Sequence, residues 1–179
     1  YKMAALSVDD FKAKLSGGGA RPNLFRATLN FPAGIDAGDS SKASFMCKAA
    51  QLPSSVIAPI TIPFRGRQLQ IAGDRTFEPW NLTIINDTDM AVRNAFEKWM
   101  NSINHHTDGG GASNPTEYIC DMAVEQLDKA GEVIKRIDFR DVWPTNLSAI
   151  ELSYDSTDTI EEFTVELQLS YWEALGITS

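Results

Sequence analysis

Glu162-Phe163-Thr164-Val165-Glu166-Leu167-Gln168-Leu169-Ser170-Tyr171 alternates polar and apolar side chains without a fault. Successive side chains of a strand point to opposite faces, so Phe163, Val165, Leu167, Leu169 and Tyr171 are expected to cover a core while the others meet solvent. A sheet that is dry on one face and wet on the other is characteristically antiparallel, because parallel sheets are covered on both faces.

The same period of two recurs upstream. Phe25, Ala27, Leu29 and Phe31 oppose Arg26, Thr28 and Asn30. After a polar loop at 32–42, Phe45, Cys47 and Ala49 are expected inward, with Ser44 and Lys48 outward. Trp80, Leu82 and Ile84 form another inward face. Tyr118, Cys120, Met122 and Val124 alternate with Asp121 and Glu125, and a turn at Lys129-Ala130-Gly131 leads into a partner strand over 133–139. Beyond Trp143-Pro144-Thr145-Asn146, a short strand carrying Ile150, Leu152 and Tyr154 is expected.

Helical spacing occurs twice. Val92, Phe96, Trp99, Met100 and Ile103 make one apolar stripe, so residues 89–103 are expected to form a helix capped by Asp87 or Thr88. Ser7 and Asp10 begin a short N-terminal helix that presents Val8, Phe11 and Leu15 and stops at Gly17-Gly18-Gly19. Seven or eight short strands with hairpin-length links and one substantial helix imply a mainly β chain, an antiparallel β-sandwich or small β-barrel. At 179 residues it fits one domain over 1–179, in which residues 1–19 form the N-terminal segment and 104–116 a flexible, polar, glycine-rich loop.

Residues 54–76 stand apart. Ile60, Ile62 and Phe64 alternate properly, but Pro59 and Pro63 lack the amide donor of a central strand, and Gln68 and Gln70 alternate with Leu69 and Ile71 on a returning strand. The expectation is an extended arm with little apolar surface of its own, ordered only when a neighbour covers it. Gly66 to Trp80 holds no nucleophile beside a base, no metal-ligand spacing and no phosphate cradle. It reads as a surface for partners.

The remaining chemistry is sparse. His105 and His106 are adjacent on a glycine-rich loop with only Asp108 near, short of the ligand set that zinc or a catalytic triad requires. Asp155-Ser156-Thr157-Asp158 lacks the spacing of a calcium loop, and neither glycine triplet is followed by Lys-Ser or Lys-Thr. No enzyme activity, metal or cofactor is expected. Cys47 and Cys120 read as reduced core thiols. The net charge of -8, with 24 acidic against 16 scattered basic residues, argues against tight binding to nucleic acid. No signal peptide or membrane-spanning run is evident in the sequence, so a soluble protein that is not exported is expected.

Five segments, taken in order, carry a resemblance: Ala20-Arg21-Pro22-Asn23-Leu24-Phe25; Cys47-Lys48-Ala49 with Leu52-Pro53; Ile71-Ala72-Gly73-Asp74-Arg75-Thr76-Phe77; Trp143-Pro144-Thr145-Asn146; and Tyr171-Trp172-Glu173. Together they resemble the tail tube proteins of contractile-tailed, T-even-type bacteriophages, from Ala20 to Glu173. The loops at 32–42 and after the helix depart from that pattern.

The resemblance implies a β-barrel-like subunit of the Hcp-like type with a flanking helix, forming hexameric rings that stack into a rigid tube inside a contractile sheath. It implies as partners the sheath, baseplate and tape-measure proteins, with genomic DNA passing through without tight binding. The location implied is the virion, after synthesis in the host bacterial cytoplasm. The alternative is a ring protein of a pyocin-like or type VI injection system. Within this frame Arg67, Gln68, Gln70, Gly73, Asp74, Arg75 and Phe77 are expected at subunit interfaces, and Asp121, Glu125, Glu162 and Glu166 are candidates to face the lumen.

Overall fold

Among the described residues of this computed structural model, 8–15, 18–35 and 40–175, the chain forms nine strands and three α-helices. Two antiparallel sheets share one long strand. The first has the order β1 (Phe25–Thr28), β6 (Cys120–Leu127), β7 (Val133–Leu147), β9 (Tyr171–Leu175). The second continues from the end of β7 through β8 (Glu162–Gln168) and β5 (Trp80–Ile85) to β2 (Cys47–Ala50). β7 pairs with β9 over 136–140 and with β8 over 143–147. Between these stretches lies Asp141, with a φ of 56°. A residue in the left-handed region turns the strand and lets one chain segment serve both sheets. The path of strands does not close, and its ends are β1 and β2.

The core lies between the sheets. Ala27, Met122, Val124, Ile137 and Phe139 come from the first, and Leu82, Ile84, Phe163, Val165 and Leu167 from the second. Trp80 stacks on Phe139 at 4.1 Å between ring centroids, and its indole N–H donates to Gln51 O at 2.8 Å, so a large buried ring leaves no orphaned donor. Helix α3 (Ala91–Ile103) buries Val92, Phe96 and Trp99, with Phe31 edge-on to Phe96 at 5.1 Å and to Trp99 at 5.8 Å. Its first turn is held by Asp89, whose carboxylate accepts from Ala91 N–H at 3.1 Å, a little downstream of the cap expected at Asp87 or Thr88.

Four expectations change. Residues 40–46 form helix α2 (Ser40–Met46) where the strand was expected to start, and Phe45 is 86% exposed. Ser44-Phe45-Met46 fits a period of two, but Ala43 is buried and Met46 packs on the core three residues later, which is a helical spacing. Ala49 likewise faces out. The strand expected around Ile150 to Tyr154 does not form, and Leu152 and Tyr154 are exposed. Trp143-Pro144-Thr145-Asn146 is instead part of β7, whose far edge is open there and so tolerates a proline. Finally, the unbroken alternation to Tyr171 is split at Leu169-Ser170, where Ser170 N–H donates to Arg140 O at 3.0 Å as the chain passes from one sheet to the other. Tyr171 consequently turns outward and Trp172 inward.

The N-terminal helix is present as α1 (Val8–Lys14), with Val8, Phe11 and Leu15 exposed. Its expected cap Ser7, its stop at Gly17 and residues 36–39 of the following loop lie outside the described residues. The histidine loop is tied to itself: His105 N–H donates to Gly110 O at 2.6 Å, Ala112 N–H to Ser102 O at 3.0 Å, and Asp108 accepts from Gly110 N–H at 3.1 Å. That last bond does most to hold the Asp108 carboxyl below the usual carboxylate range.

Candidate functional site

β3 (Ser55–Phe64) and β4 (Arg67–Phe77) pair only with each other and form a separate two-stranded sheet. A two-residue turn, Arg65-Gly66, joins them with φ values of 47° and 78°. Two positive φ values in succession are the hairpin geometry whose twist matches the strands, which explains the glycine. Nearer the body the register shifts between Ile57↔Arg75 and Pro59↔Ala72, placing an extra residue on β4 at Gly73-Asp74. A Cβ at Gly73 would stand 2.6 Å from Ala58 O, so only glycine fits the bulge as it is built. At the root, Phe77 meets Trp172 of β9 edge to face.

Directly opposed residues of an antiparallel pair share a face. Ile60 lies opposite Ile71, Ile62 opposite Leu69 and Phe64 opposite Arg67, while Thr61 faces Gln70 and Pro63 faces Gln68. One side of the arm is therefore an aliphatic and aromatic stripe, and the other is polar. Ile60, Ile62, Phe64, Leu69 and Ile71 are between 42% and 65% exposed. The expectation of little apolar surface is thus corrected: the arm carries a continuous apolar stripe that stays largely exposed among the described residues, and such patches mark interaction sites. Each strand's alternation was readable, but only the register shows that both apolar sets fall on one side.

The sequence-predicted interface residues all lie on β4. Arg67, Gln68, Gln70, Asp74 and Arg75 are exposed, Gly73 sits in the bulge, and Phe77 is half-buried at the root. The candidate lumen residues divide between two strands, β6 and β8, which lie on either side of β7. Glu162 and Glu166 are on β8, with Glu162 paired to Lys48 at 2.7 Å and Glu166 accepting from Thr145 Oγ1 at 3.3 Å. Asp121 and Glu125 are on β6. Glu125 is buried, at 4% exposure, gripped by Arg26 and by Arg136 at 2.9 Å. Its charge does not stand bare.

Around it the outer face of the first sheet is a lattice of ion pairs. Arg136 also meets Asp138 at 2.9 Å, and Arg140 meets Asp121 at 2.7 Å and Glu173 at 3.6 Å. Asp138 holds the Arg136 guanidinium more firmly protonated than usual, and Asp121 does the same for Arg140. Cys47 and Cys120 are free thiols, pushed by burial up to about 11 and about 12 respectively. Among the described residues no three His, Cys, Asp or Glu side chains gather as a metal site, and no helix is long and apolar enough to cross a membrane.

Among the described residues, β1, β9 and β2 each pair on one side only, and the arm exposes an apolar stripe. A family model for phage tail tube proteins matches residues 20–175. The chain belongs to that family. It is 34% identical over 168 residues to the tail tube protein gp19 of Enterobacteria phage T4, covering 93% of this chain and 99% of that one. To the tail tube protein of Serratia phage KSP90 it is 30% identical over 173 residues, covering 95% and 97%. Among solved structures, the fold is similar to the sheath/tube terminator of an extracellular contractile injection system, with a TM-score of 0.64, 11% identity and coverage of 87% and 96%. It is also similar to the tube-terminating cap of the anti-feeding prophage, with a TM-score of 0.62, 15% identity and coverage of 87% and 90%. The family places the chain as a structural subunit of a phage tail tube.

Proposed function

We propose that this tail tube subunit assembles into hexameric rings that stack as the rigid inner tube of a contractile tail, through which the genome is delivered. The observation that carries the reading is the pairing of open strand edges with an uncovered arm. β1 and β9 border the first sheet. Unpaired edges are an aggregation hazard in a lone domain and a joining device in a ring, where each edge meets a different edge of the next copy and rotation closes the circle. A second head-to-tail contact stacks rings, and the arm supplies it by laying its apolar stripe on a neighbour. Phage relatives of this identity favour a genome-delivering tube over an injection-system ring.

The subunit performs no catalysis in this reading. Sheath protein contacts the outside of the tube, tape-measure protein occupies it during assembly, and the baseplate nucleates it. The finished location is the virion, following synthesis in the host bacterial cytoplasm. Negative-stain microscopy of the purified protein, alone and with baseplate nuclei, tests the proposal: rings or tubes support it, and a strictly monomeric protein under both conditions refutes it.

A further inference from the structure

The segment between β7 and β8 forms no strand or helix over 148–161, yet it holds large apolar side chains in water: Leu152, Tyr154 and Ile160 are each more than three-quarters exposed. Its two ends are fixed. Ser148 N–H donates to Thr164 O at 2.9 Å, Arg93 Nη1 donates to Ser148 O at 2.8 Å, and Asn86 N–H donates to Glu161 O at 2.9 Å, which ties the loop to β8, to α3 and to the end of β5. Between them an open cleft of about 380 Å³ is lined by Ile150, Leu152 and Ile160 together with Glu151 and Glu161. An apolar patch on a rooted loop marks a surface that another molecule covers.

Charge identifies the occupant. The arm holds Arg65, Arg67 and Arg75 against Asp74, a net +2 on a chain whose total is -8, which leaves -10 for the body. The loop is its opposite, with Glu151, Asp155, Asp158 and Glu161 and no Lys or Arg over 148–161. Arg26, Arg136 and Arg140 are paired within the subunit, but among the described residues Arg65, Arg67 and Arg75 meet no carboxylate, and Glu151, Asp155 and Asp158 meet no cation. The charges follow the apolar groups on both surfaces. Arg67 lies opposite Phe64 at the tip end of the stripe, and the Arg65 guanidinium stands 5.3 Å from the centroid of the Phe64 ring.

We infer that the tip of the arm docks on the 148–161 loop of a second copy of this chain, with Phe64 seated against Leu152 and Ile160, and with Arg65 and Arg67 meeting Glu151, Asp155 and Asp158. The inference rests on the tube reading and names the surface that receives the arm. The apolar contact supplies the adhesion, and the opposite charges decide which surface the arm selects. Because arm and loop are different patches of one chain, the contact is head to tail and repeats from copy to copy.

The test reverses the charge of each side in the full chain. Arg65→Glu/Arg67→Glu alters the arm, and Glu151→Lys/Asp155→Lys/Asp158→Lys alters the loop. All five side chains are exposed, so both variants are expected to melt as wild type does. Tubes grown on baseplate nuclei are pelleted and compared with wild type. Like charges set together across the contact should lower the pelleted fraction about tenfold or more in either variant. Opposite signs should restore it in two ways: in one chain carrying all five changes, and in an equimolar mixture of the two variants, where each arm meets the other's loop. The mixture covers the case in which the chain with all five changes does not fold. Undiminished tubes from either folded variant, or no recovery on mixing, overturns the inference while leaving the tube reading intact. Tubes absent from wild type overturn the tube reading and this inference with it.

Discussion

Phe77, the last residue of the arm, meets Trp172 edge to face with ring centroids 5.9 Å apart and planes at 78°. The same indole N–H points at Ser54 O, 3.5 Å away, at the start of the outgoing strand. Both ends of the arm are thus anchored on one tryptophan of β9, a strand at the edge of the first sheet. The root of the arm is set against an edge strand of the first sheet. A double-mutant cycle with Phe77→Leu and Trp172→Leu should give a coupling of about 1 kcal/mol in denaturant unfolding, the scale of an edge-to-face pair. Each single variant should also lengthen the lag before tubes appear. Coupling near zero would show that the two rings touch without fixing the arm.

Gly73→Val places a Cβ 2.6 Å from a backbone carbonyl that cannot move as a flexible side chain would. The arm pairs only with itself, so the strain should stay in it and leave the core between the main sheets unchanged. We expect the melting temperature to fall by less than about 4 °C and tube formation to be lost. Asp74→Arg, at the exposed neighbouring position, should impair assembly with a still smaller change in melting.

Leu69→Asp/Ile71→Asp tests the apolar stripe directly. Both side chains are about half exposed in the subunit, so stability should change by no more than about 0.5 kcal/mol for each. Assembly should fail, because burying a carboxylate against a neighbour leaves it unpaired and desolvated. Sedimentation should show monomers where wild type pellets as tubes. Gln68→Glu, on the polar side of the arm, should be milder.

Glu125→Ala removes the buried carboxylate between Arg26 and Arg136. Both arginines are partly exposed and can turn to water, so the loss should be about 1.5–3 kcal/mol, the range for hydrogen bonds to charged groups, and below that for stranding a fully buried ion. Urea unfolding measures it. Amide exchange should rise in β1, which is held to the sheet by β6 alone.

The thiols give a pH prediction with a definite sign. Burial raises Cys47 from 9.0 to about 11 and Cys120 from 9.0 to about 12, so at alkaline pH the unfolded chain ionises first. Stability contributed by the neutral buried thiols is fully present below pH 9 and is lost as pH climbs through the folded values. The slope approaches about 1.4 kcal/mol per pH unit per thiol. Subtracting the profile of Cys47→Ala from wild type between pH 8 and 10.5 isolates one of them. A flat difference contradicts the assignment.

How far the chain could be read depended on whether one strand or two carried the information. β5 and β8 show their buried faces in their own alternation, and the stripe of α3 is equally self-contained. Residues 44–48 misled because five positions satisfy a period of two as well as a helical one, and only the burial of Ala43 separates them. The arm was legible as a hairpin from Pro59, Pro63 and Gly66, yet its apolar stripe is a product of register between β3 and β4. Glu125 looked like its neighbour Asp121. The difference between a buried ion triad and a surface carboxylate comes from Arg26, 99 residues away in sequence, which no local pattern predicts.

The central claim is that open edges and the uncovered stripe of the arm build a tube. Cryo-electron microscopy of wild type and Leu69→Asp/Ile71→Asp, prepared side by side with baseplate nuclei, tests it most directly. The account predicts six-fold stacked rings for wild type, with Ile60, Ile62, Leu69 and Ile71 buried against a neighbouring subunit, and no tubes for the variant. Tubes of equal length from both proteins, or a wild-type tube in which that side of the arm stays in solvent, would contradict it.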